Sequence, residues 1–488
     1  MERIFLRVFR LGIVATLLAA LLGIAAGQAQ AWVWYVKPGQ GSGSGKAWSD
    51  PFTTIAEAVA AATDGDSIWV IEGEYLIDKS IKITKRLNIY GGFLGVEQSP
   101  DARVGDLRST IDGGDSTACM AISADTLLDG IDFFECNSYV NSGGGHDPNK
   151  YLPGAGITAE NAKLTMRNCT LRRITGNSHG AMRADNCQLD ICDIRIEDSF
   201  AADIPTGTSG GMYLGNCAGK ISKTTILNCS ASHDGGGIYA EGGNLLVERC
   251  QFLRNTSGRG QGGGISIQGD HVVQDSHFSA NYALAGAAGQ FEGTTVNRCR
   301  MFGNIDHGAS TIIADNAKLY NCVIHDNESE AQPSVAYLNA SSLVNCTIAT
   351  RAPRSGSGSL QASGSRIVNS ILRNTGDDPI FVGSPDVSVT YSLVSGGYAG
   401  EGNIDADPLF VDLENYNFKL QPTSPCVDAG TANIPDLPET DYTGKRRMMG
   451  SAPDMGAYEL SQLPRDALSR LLLPSQLDSE QAAGVGGL

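Results

Sequence analysis

One short phrase recurs ten times between residues 164 and 394, and its spacing restricts the fold more tightly than any candidate catalytic residue does. It consists mostly of a small or polar residue, then any residue, then an apolar one. The copies begin at Cys169, Ile194, Thr224, Cys250, Ser276, Cys299, Cys322, Cys346, Ser370 and Ser392, 22 to 30 residues apart. A period in that range belongs to stacked repeat architectures. A second column runs in parallel as a Gly-rich approach to an apolar strand, in Gly180-Ala181-Met182, Gly210-Gly211-Met212, Gly235 to Ile238 and Gly262 to Ile265. Glycine is expected there for backbone angles closed to other residues.

No coil contains a helix-length apolar pattern. With about 24 residues per turn and at least two short strands in each, the economical fold is an all-β solenoid: a parallel β-helix whose strands pair with their copies one coil on. At roughly 4.8 Å per coil, a dozen coils make a rod of about 60 Å. Inward positions then form ladders of like residues. Cys299, Cys322 and Cys346 form one, and Asn255, Asn281, Asn304 and Asn327, each three residues after the apolar member of its phrase, form another.

The ends read differently. Arg3, Arg7 and Arg10 precede an apolar run from Leu11 to Ala26, and Ala29-Gln30-Ala31 fits a signal-peptide cleavage site, so residues 1–31 are expected to be removed and the chain exported. No later stretch is long and apolar enough to span a membrane. Removing Glu2 and the three arginines leaves 52 acidic against 33 basic residues, a balance of −19, which argues against a nucleic-acid partner. Residues 32–66 are expected to cap the first coil. There Thr54 and Glu57 form a capping box ahead of Ile55, Ala58, Val59 and Ala62 on one helical face. The β-helix follows over 67–400, a C-terminal capping module over 401–460 and a flexible tail over 461–488.

That module carries Asp405-Ala-Asp-Pro-Leu-Phe-Val-Asp412, then Leu420 to Gly430, then Pro453-Asp-Met-Gly-Ala-Tyr-Glu459. The combination resembles the C-terminal module of the choice-of-anchor Q domain proteins, secreted bacterial proteins with a right-handed parallel β-helix. Ala58, Gly65 to Ile68, Gly73-Glu74-Tyr75 and Tyr90 to Phe93 look like the start of that group. The resemblance spans roughly residues 32 to 460, and it implies a right-handed coil and a secreted, periplasmic or cell-surface location. No sorting anchor is read in residues 461–488.

Twelve cysteines in an exported chain raise the question of disulfides. Stacked cysteines sit at strand spacing, wider than the roughly 3.8 Å between Cβ atoms that a disulfide prefers. Cys169, Cys250, Cys299, Cys322 and Cys346 are therefore expected to be buried thiols. Cys187, Cys192, Cys217 and Cys229 fall outside that column, and a bridge among them stays open.

If the chain carries chemistry, its place is the turn between the two columns, where polar residues recur in neighbouring coils. Asp203, His233, Asp234 and Arg259 are the catalytic candidates. His179, Asp306 and His307 are the substrate-binding ones. A lyase needs a charge-neutralising Arg or Ca²⁺ and a base. A hydrolase needs two carboxylates about 5–9.5 Å apart. Asp, His and Asn before Gly are also ordinary turn residues. Ca²⁺ is the only cofactor admitted, and Asp405, Asp407, Asp412, Asp428, Asp441 and Asp454 are expected to act as turn and capping groups rather than as its ligands.

The middle residue of each phrase points outward and is polar from Thr170 to Arg300. Val323, Ile371 and Leu393 then break the pattern. Strand alternation requires a cover over them, expected to be the chain's own C-terminal module. The favoured role is a monomeric, non-catalytic envelope protein presenting a long face to a polysaccharide. The alternatives are a polysaccharide lyase or glycoside hydrolase, and a structural rod or adhesin.

Overall fold

Four strands make up each central coil. In one coil they are Val272–Gln274, His277–Ser279, Tyr282–Ala283 and Gly289–Glu292, and each pairs in parallel with its copy one coil on. The computed structural model describes residues 31–39, 43–138, 154–202, 207–330, 334–349, 359–374 and 381–461. Among these, the first two strands of successive coils form a bent sheet of 25 strands, the third a short sheet of 7 and the fourth a front sheet of 12. The chain is a right-handed parallel β-helix, with one short α-helix among the described residues. Residues 1–30 of the expected signal segment 1–31, the tail beyond residue 461 and Asp203 lie outside the described residues.

Corners explain why the phrase begins with a small or polar residue. The residue just before it takes the left-handed conformation in every coil: Asn168, Asp193, Lys223, Arg249, Asp275, Arg298, Asn321, Asn345, Asn369 and Tyr391 have φ of 49–56°. Asn and Asp tolerate this because a short polar side chain bonds locally. After such a turn the next amide finds its acceptor on an inward side chain of the following coil. Cys250 N donates to Ser276 Oγ at 3.0 Å, Cys346 N to Ser370 Oγ at 3.2 Å and Ser370 N to Ser392 Oγ at 3.1 Å.

The asparagine ladder does the same at the second corner. The amides of Asn255, Asn281 and Asn304 donate to the Oδ1 atoms of Asn281, Asn304 and Asn327 at 2.9, 3.0 and 3.1 Å. At the third corner Ala317 N meets Ser341 Oγ and Ser341 N meets Ser365 Oγ, both at 3.0 Å. Buried backbone donors are thus satisfied all along the rod.

Apolar residues alternate inward along each strand and stack on their copies. The rings of Phe252 and Phe278 lie 4.5 Å apart and parallel within 1°. The glycines of the second column serve two purposes: Gly235 and Gly262 take the expected left-handed angles, with φ of 64° and 71°, while those that follow them are held to glycine by packing. Gly237 and Gly264 do not have positive φ; a Cβ on them would stand 2.4 and 2.6 Å from the carbonyl oxygens of Gly264 and Ala288 in the next coil. Close approach of coils, not backbone angle, excludes a side chain there.

Strand Val33–Val36 pairs with Ser67–Ile71 and so belongs to the bent sheet. Helix α1 (Ile55–Ala61) starts at the Thr54/Glu57 capping box and buries Ile55, Ala58 and Val59. At the other end the module folds back, as the apolar outward residues require. Val323, Ile371 and Leu393 are buried against Phe410, Phe418, Met455 and Ala457. Arg447, fully buried, donates to the Gly456 and Ala457 carbonyls at 3.1 Å each and pairs with Glu459 at 3.5 Å.

Cysteine chemistry divides cleanly. Cys119 and Cys136, which sequence reasoning did not single out, form a disulfide with Cα atoms 5.5 Å apart. The other ten are free. Cys187, Cys217 and Cys229 each follow a left-handed asparagine and therefore occupy corner positions. Cys192 lies partly exposed in strand Gln188–Glu197.

Candidate functional site

Tight corners turn the coil at three of its junctions, but a wider turn joins the short sheet to the front sheet, and His179, His233, Asp234, Arg259 and His307 of the predicted polar residues lie on it. His179, His233 with Asp234, Arg259 and His307 follow one another along this edge, with Leu284 between the last two. An open groove of about 370 Å³ spans three of these coils, lined by His233, Asp234, Arg259, Gln261, Ser266, Gln268, Leu284 and Gln290.

Asp234 is held on both carboxylate oxygens. His233 Nδ1 lies 2.7 Å from Oδ2, and the Gln261 amide donates to Oδ1 at 2.6 Å. The contact through Nδ1 fixes the ring of His233. Arg259 is exposed and, among the described residues, its guanidinium meets no carboxylate. Ser266 Oγ donates to Gln290 Oε1 at 3.3 Å.

His179 belongs to a different assembly. Its Nδ1 is 2.9 Å from the Thr208 carbonyl, its ring stacks on Tyr213 at 4.1 Å, and Tyr213 stacks on Tyr239 at 5.8 Å. Burial pulls the His179 imidazole down to about 4, so it is neutral at physiological pH. Both tyrosine hydroxyls donate to Glu241, at 2.6 Å from Tyr213 and 3.3 Å from Tyr239. Burial, followed by the charge of Glu241, pushes Tyr239 up to about 12 and Tyr213 in the same direction. Register continues the column from Tyr239 to Ser266 and Gln290, so the stack ends where the groove begins.

Sequence reasoning missed these tyrosines. The signal was present as the outward middle residue of Met212-Tyr213-Leu214 and Ile238-Tyr239-Ala240, directly after the glycines.

Asp306 is a correction. It faces inward and is fully buried, accepting from Ala309 N at 3.0 Å and Ser329 Oγ at 3.1 Å, because it occupies the inward position of strand Ile305–Asp306. It cannot touch a substrate. His307 is exposed, pairs with Glu330 and packs edge-on to Tyr282 at 5.0 Å. Asp203 lies outside the described residues, so the expected Asp203–Asp234 carboxylate pair has no geometry here. Arginines of the neighbouring coils do not join Arg259: Arg249 and Arg298 stand at the first corner, Arg254 at the second, and Arg298 is tied to Asp275 at 2.6 and 2.8 Å.

The C-terminal aspartates serve backbone amides. Asp454 accepts from Asp428 N and Leu460 N at 2.8 and 2.6 Å, and Asp441 from Lys445 N at 2.9 Å and Glu459 N at 3.0 Å. Among the described residues no three His, Cys, Asp or Glu side chains gather as a metal site would require.

The sequence model of the right-handed β-helix region matches residues 153–308 and 210–376. No curated protein matches the chain. Among solved structures it is similar to pectate lyase Pel9A, at 15% identity and a TM-score of 0.40, with 89% of this chain and 97% of that one covered. It is similar to a mutant of the PL6-family alginate lyase AlyGC at 12% identity and a TM-score of 0.45, covering 79% of this chain and 58% of that one. A rhamnogalacturonan lyase follows at 11% and 0.34, with 80% and 95% covered. At such identities and scores no residue role passes from these proteins to this chain. Its strand pairing and the matched family model agree on the architecture: the chain carries a right-handed β-helix region.

Proposed function

We propose that this is an exported, non-catalytic protein that binds a polysaccharide along the rod axis, in the groove where the wide turn meets the front sheet. One observation carries the reading: the aromatic stack ends at Tyr239, and the column continues as Ser266 and Gln290 beside Gln268 and Gln261. A sugar polymer needs an apolar surface beside polar partners placed at intervals, and the tyrosine rings with the glutamine amides beyond them supply both. Consecutive coils repeat the partners about every 4.8 Å, which suits an extended chain. The Cys119–Cys136 disulfide supports an oxidising compartment, as does the N-terminal segment read as a signal peptide. Among the described residues no helix is long and apolar enough to cross a membrane.

The test is affinity electrophoresis of the full chain through gels holding soluble polysaccharides. Retardation by at least one polymer, lost in Tyr239→Ala and retained in an N-terminal surface variant such as Asp106→Asn, is expected. Unretarded migration in every gel would refute the reading.

A second reading, a polysaccharide lyase or hydrolase, is favoured by Arg259 standing unpaired beside the His233–Asp234 pair. New reducing ends or ultraviolet-absorbing unsaturated products, abolished by His233→Ala or Arg259→Ala, would establish it in place of simple binding.

A further inference from the structure

We propose that the groove sorts glycans by charge, taking amino-sugar polymers before neutral ones and turning uronate polymers away. This rests on the groove being a glycan site. Its lining offers the side-chain amides of Gln261, Gln268 and Gln290, with Ser266 buried beneath and donating to Gln290 Oε1, and with Arg259 as the fixed cation among its described residues. Carboxylates stand along its front-sheet side. Register runs the column Glu241, Gln268, Glu292, Asp315 through four successive coils, so carboxylates stand on both sides of the neutral Gln268 that lines the groove.

Two of these carboxylates have fixed positions. Glu241 takes the hydroxyls of Tyr213 and Tyr239, and Asp315 takes the Asn339 amide at 3.0 Å. Neutral donors hold them without cancelling their charge. Glu292 is exposed and, among the described residues, its carboxylate has no hydrogen-bond or ionic partner.

A glycan lying along the axis passes a coil about every 4.8 Å, well inside the screening length of about 8 Å at physiological salt. A uronate in the groove would then lie within reach of the carboxylates on either side of Gln268 and be repelled, whereas an ammonium would be attracted. Arg259 favours the opposite order, but it is a single charge at the turn edge against Glu241, Glu292 and Asp315, on a chain of net charge −17. His233 does not add to it, being already matched by Asp234. Electrostatic complementarity of this kind sets which partners are accepted.

The experiment is calorimetric titration of the full chain with hexamers of glucosamine, N-acetylglucosamine and galacturonate, at low and at high salt. Glucosamine is expected to bind at least tenfold more tightly than galacturonate at low salt, with the gap narrowing at high salt. Glu292→Lys should cut glucosamine affinity about threefold or more and raise galacturonate affinity, while Asp106→Asn, far from the groove, should change neither. Galacturonate binding as tightly as glucosamine would overturn the charge inference and leave glycan binding standing. Equal losses from Glu292→Lys and Asp106→Asn would also overturn it, by assigning the attraction to the whole acidic surface. Binding of none of the three, together with failure in the polysaccharide gels, would remove the site itself.

Discussion

Asn369 and Thr431 exchange two hydrogen bonds: Asn369 Nδ2 donates to the Thr431 carbonyl at 2.9 Å, and the Thr431 amide donates to Asn369 Oδ1 at 2.7 Å. A left-handed corner of the solenoid thereby becomes the docking point of a segment 62 residues further on. Its neighbours act alike. Asn345 Nδ2 donates to the Asp454 carbonyl at 3.0 Å, and Asn321 Nδ2 to the Thr440 carbonyl at 3.0 Å.

Asn369→Ala removes both bonds and places alanine at φ 51°. The cost should be about 2–3 kcal/mol, concentrated in the module. Limited proteolysis checks this: cleavage within residues 405–461 should accelerate while the coils before residue 321 stay resistant.

Asn281 sits inside the ladder, taking two bonds from Asn255 and giving bonds to the Phe252 carbonyl and to Asn304 Oδ1. Asn281→Leu leaves the Asn255 amide without an acceptor in an enclosed core. A loss of about 3 kcal/mol or more is expected in urea unfolding, against under about 1 kcal/mol for an exposed change such as Gln251→Ala.

Lys223 holds φ 50° with no local side-chain compensation. Lys223→Gly relieves about 1–2 kcal/mol of left-handed strain and adds roughly 0.5–1 kcal/mol of unfolded-state entropy. A net gain of about 0.5 kcal/mol should appear as a higher thermal midpoint, and a lower midpoint would count against the strain argument.

Asp306 predicts a pH dependence. Burial raises its carboxyl from 3.8 to about 6 in the fold, and one of its oxygens has no hydrogen-bond partner among the described residues. A raised carboxyl favours the protonated folded form. The stabilisation is therefore intact below about pH 4 and lost as pH rises through about 6. The difference is on the order of 2–3 kcal/mol. Asp306→Asn should match the parent protein near pH 4 and exceed it at pH 8 in urea titrations; a constant difference across that range would refute the assignment.

Thiol counting tests the disulfide assignment. Alkylation in denaturant without reductant should add ten groups, one for each free cysteine, and reduction first should add two more. In native buffer the buried thiols should react slowly. Reducing the Cys119–Cys136 bond, which closes a 17-residue separation, should cost about 3 kcal/mol.

The coil was legible because inward positions obey one strict period, and phrase and glycine columns both report it. The fold-back was legible for the same reason: Val323, Ile371 and Leu393 violate outward polarity and so demand a cover. The corners were less visible. Asn precedes Cys at residues 168, 186, 216, 228, 321 and 345, a mark of the left-handed turn, but Lys223, Arg249 and Tyr391 hold the same conformation with unrelated side chains, imposed by the neighbouring coils. The groove was legible only in part. His233, Asp234 and Arg259 share an edge because coils stack, whereas Asp306 differs from His307 by one strand position and so faces the core. The tie of Tyr213 and Tyr239 to Glu241 depends on side-chain reach across coils, which periodicity does not encode.

Because each corner amide is satisfied by a side chain one coil later, the rod is built in whole units with a direction. A deletion from Asn281 through Gly303 removes one complete repeat of 23 residues and offers Asn255 the side chain of Asn304 in place of Asn281. Removing a fraction of that length would instead put every later side chain out of phase with the donors behind it. Lineages of such chains should therefore vary in length by integral repeats, gained and lost between the fixed ends.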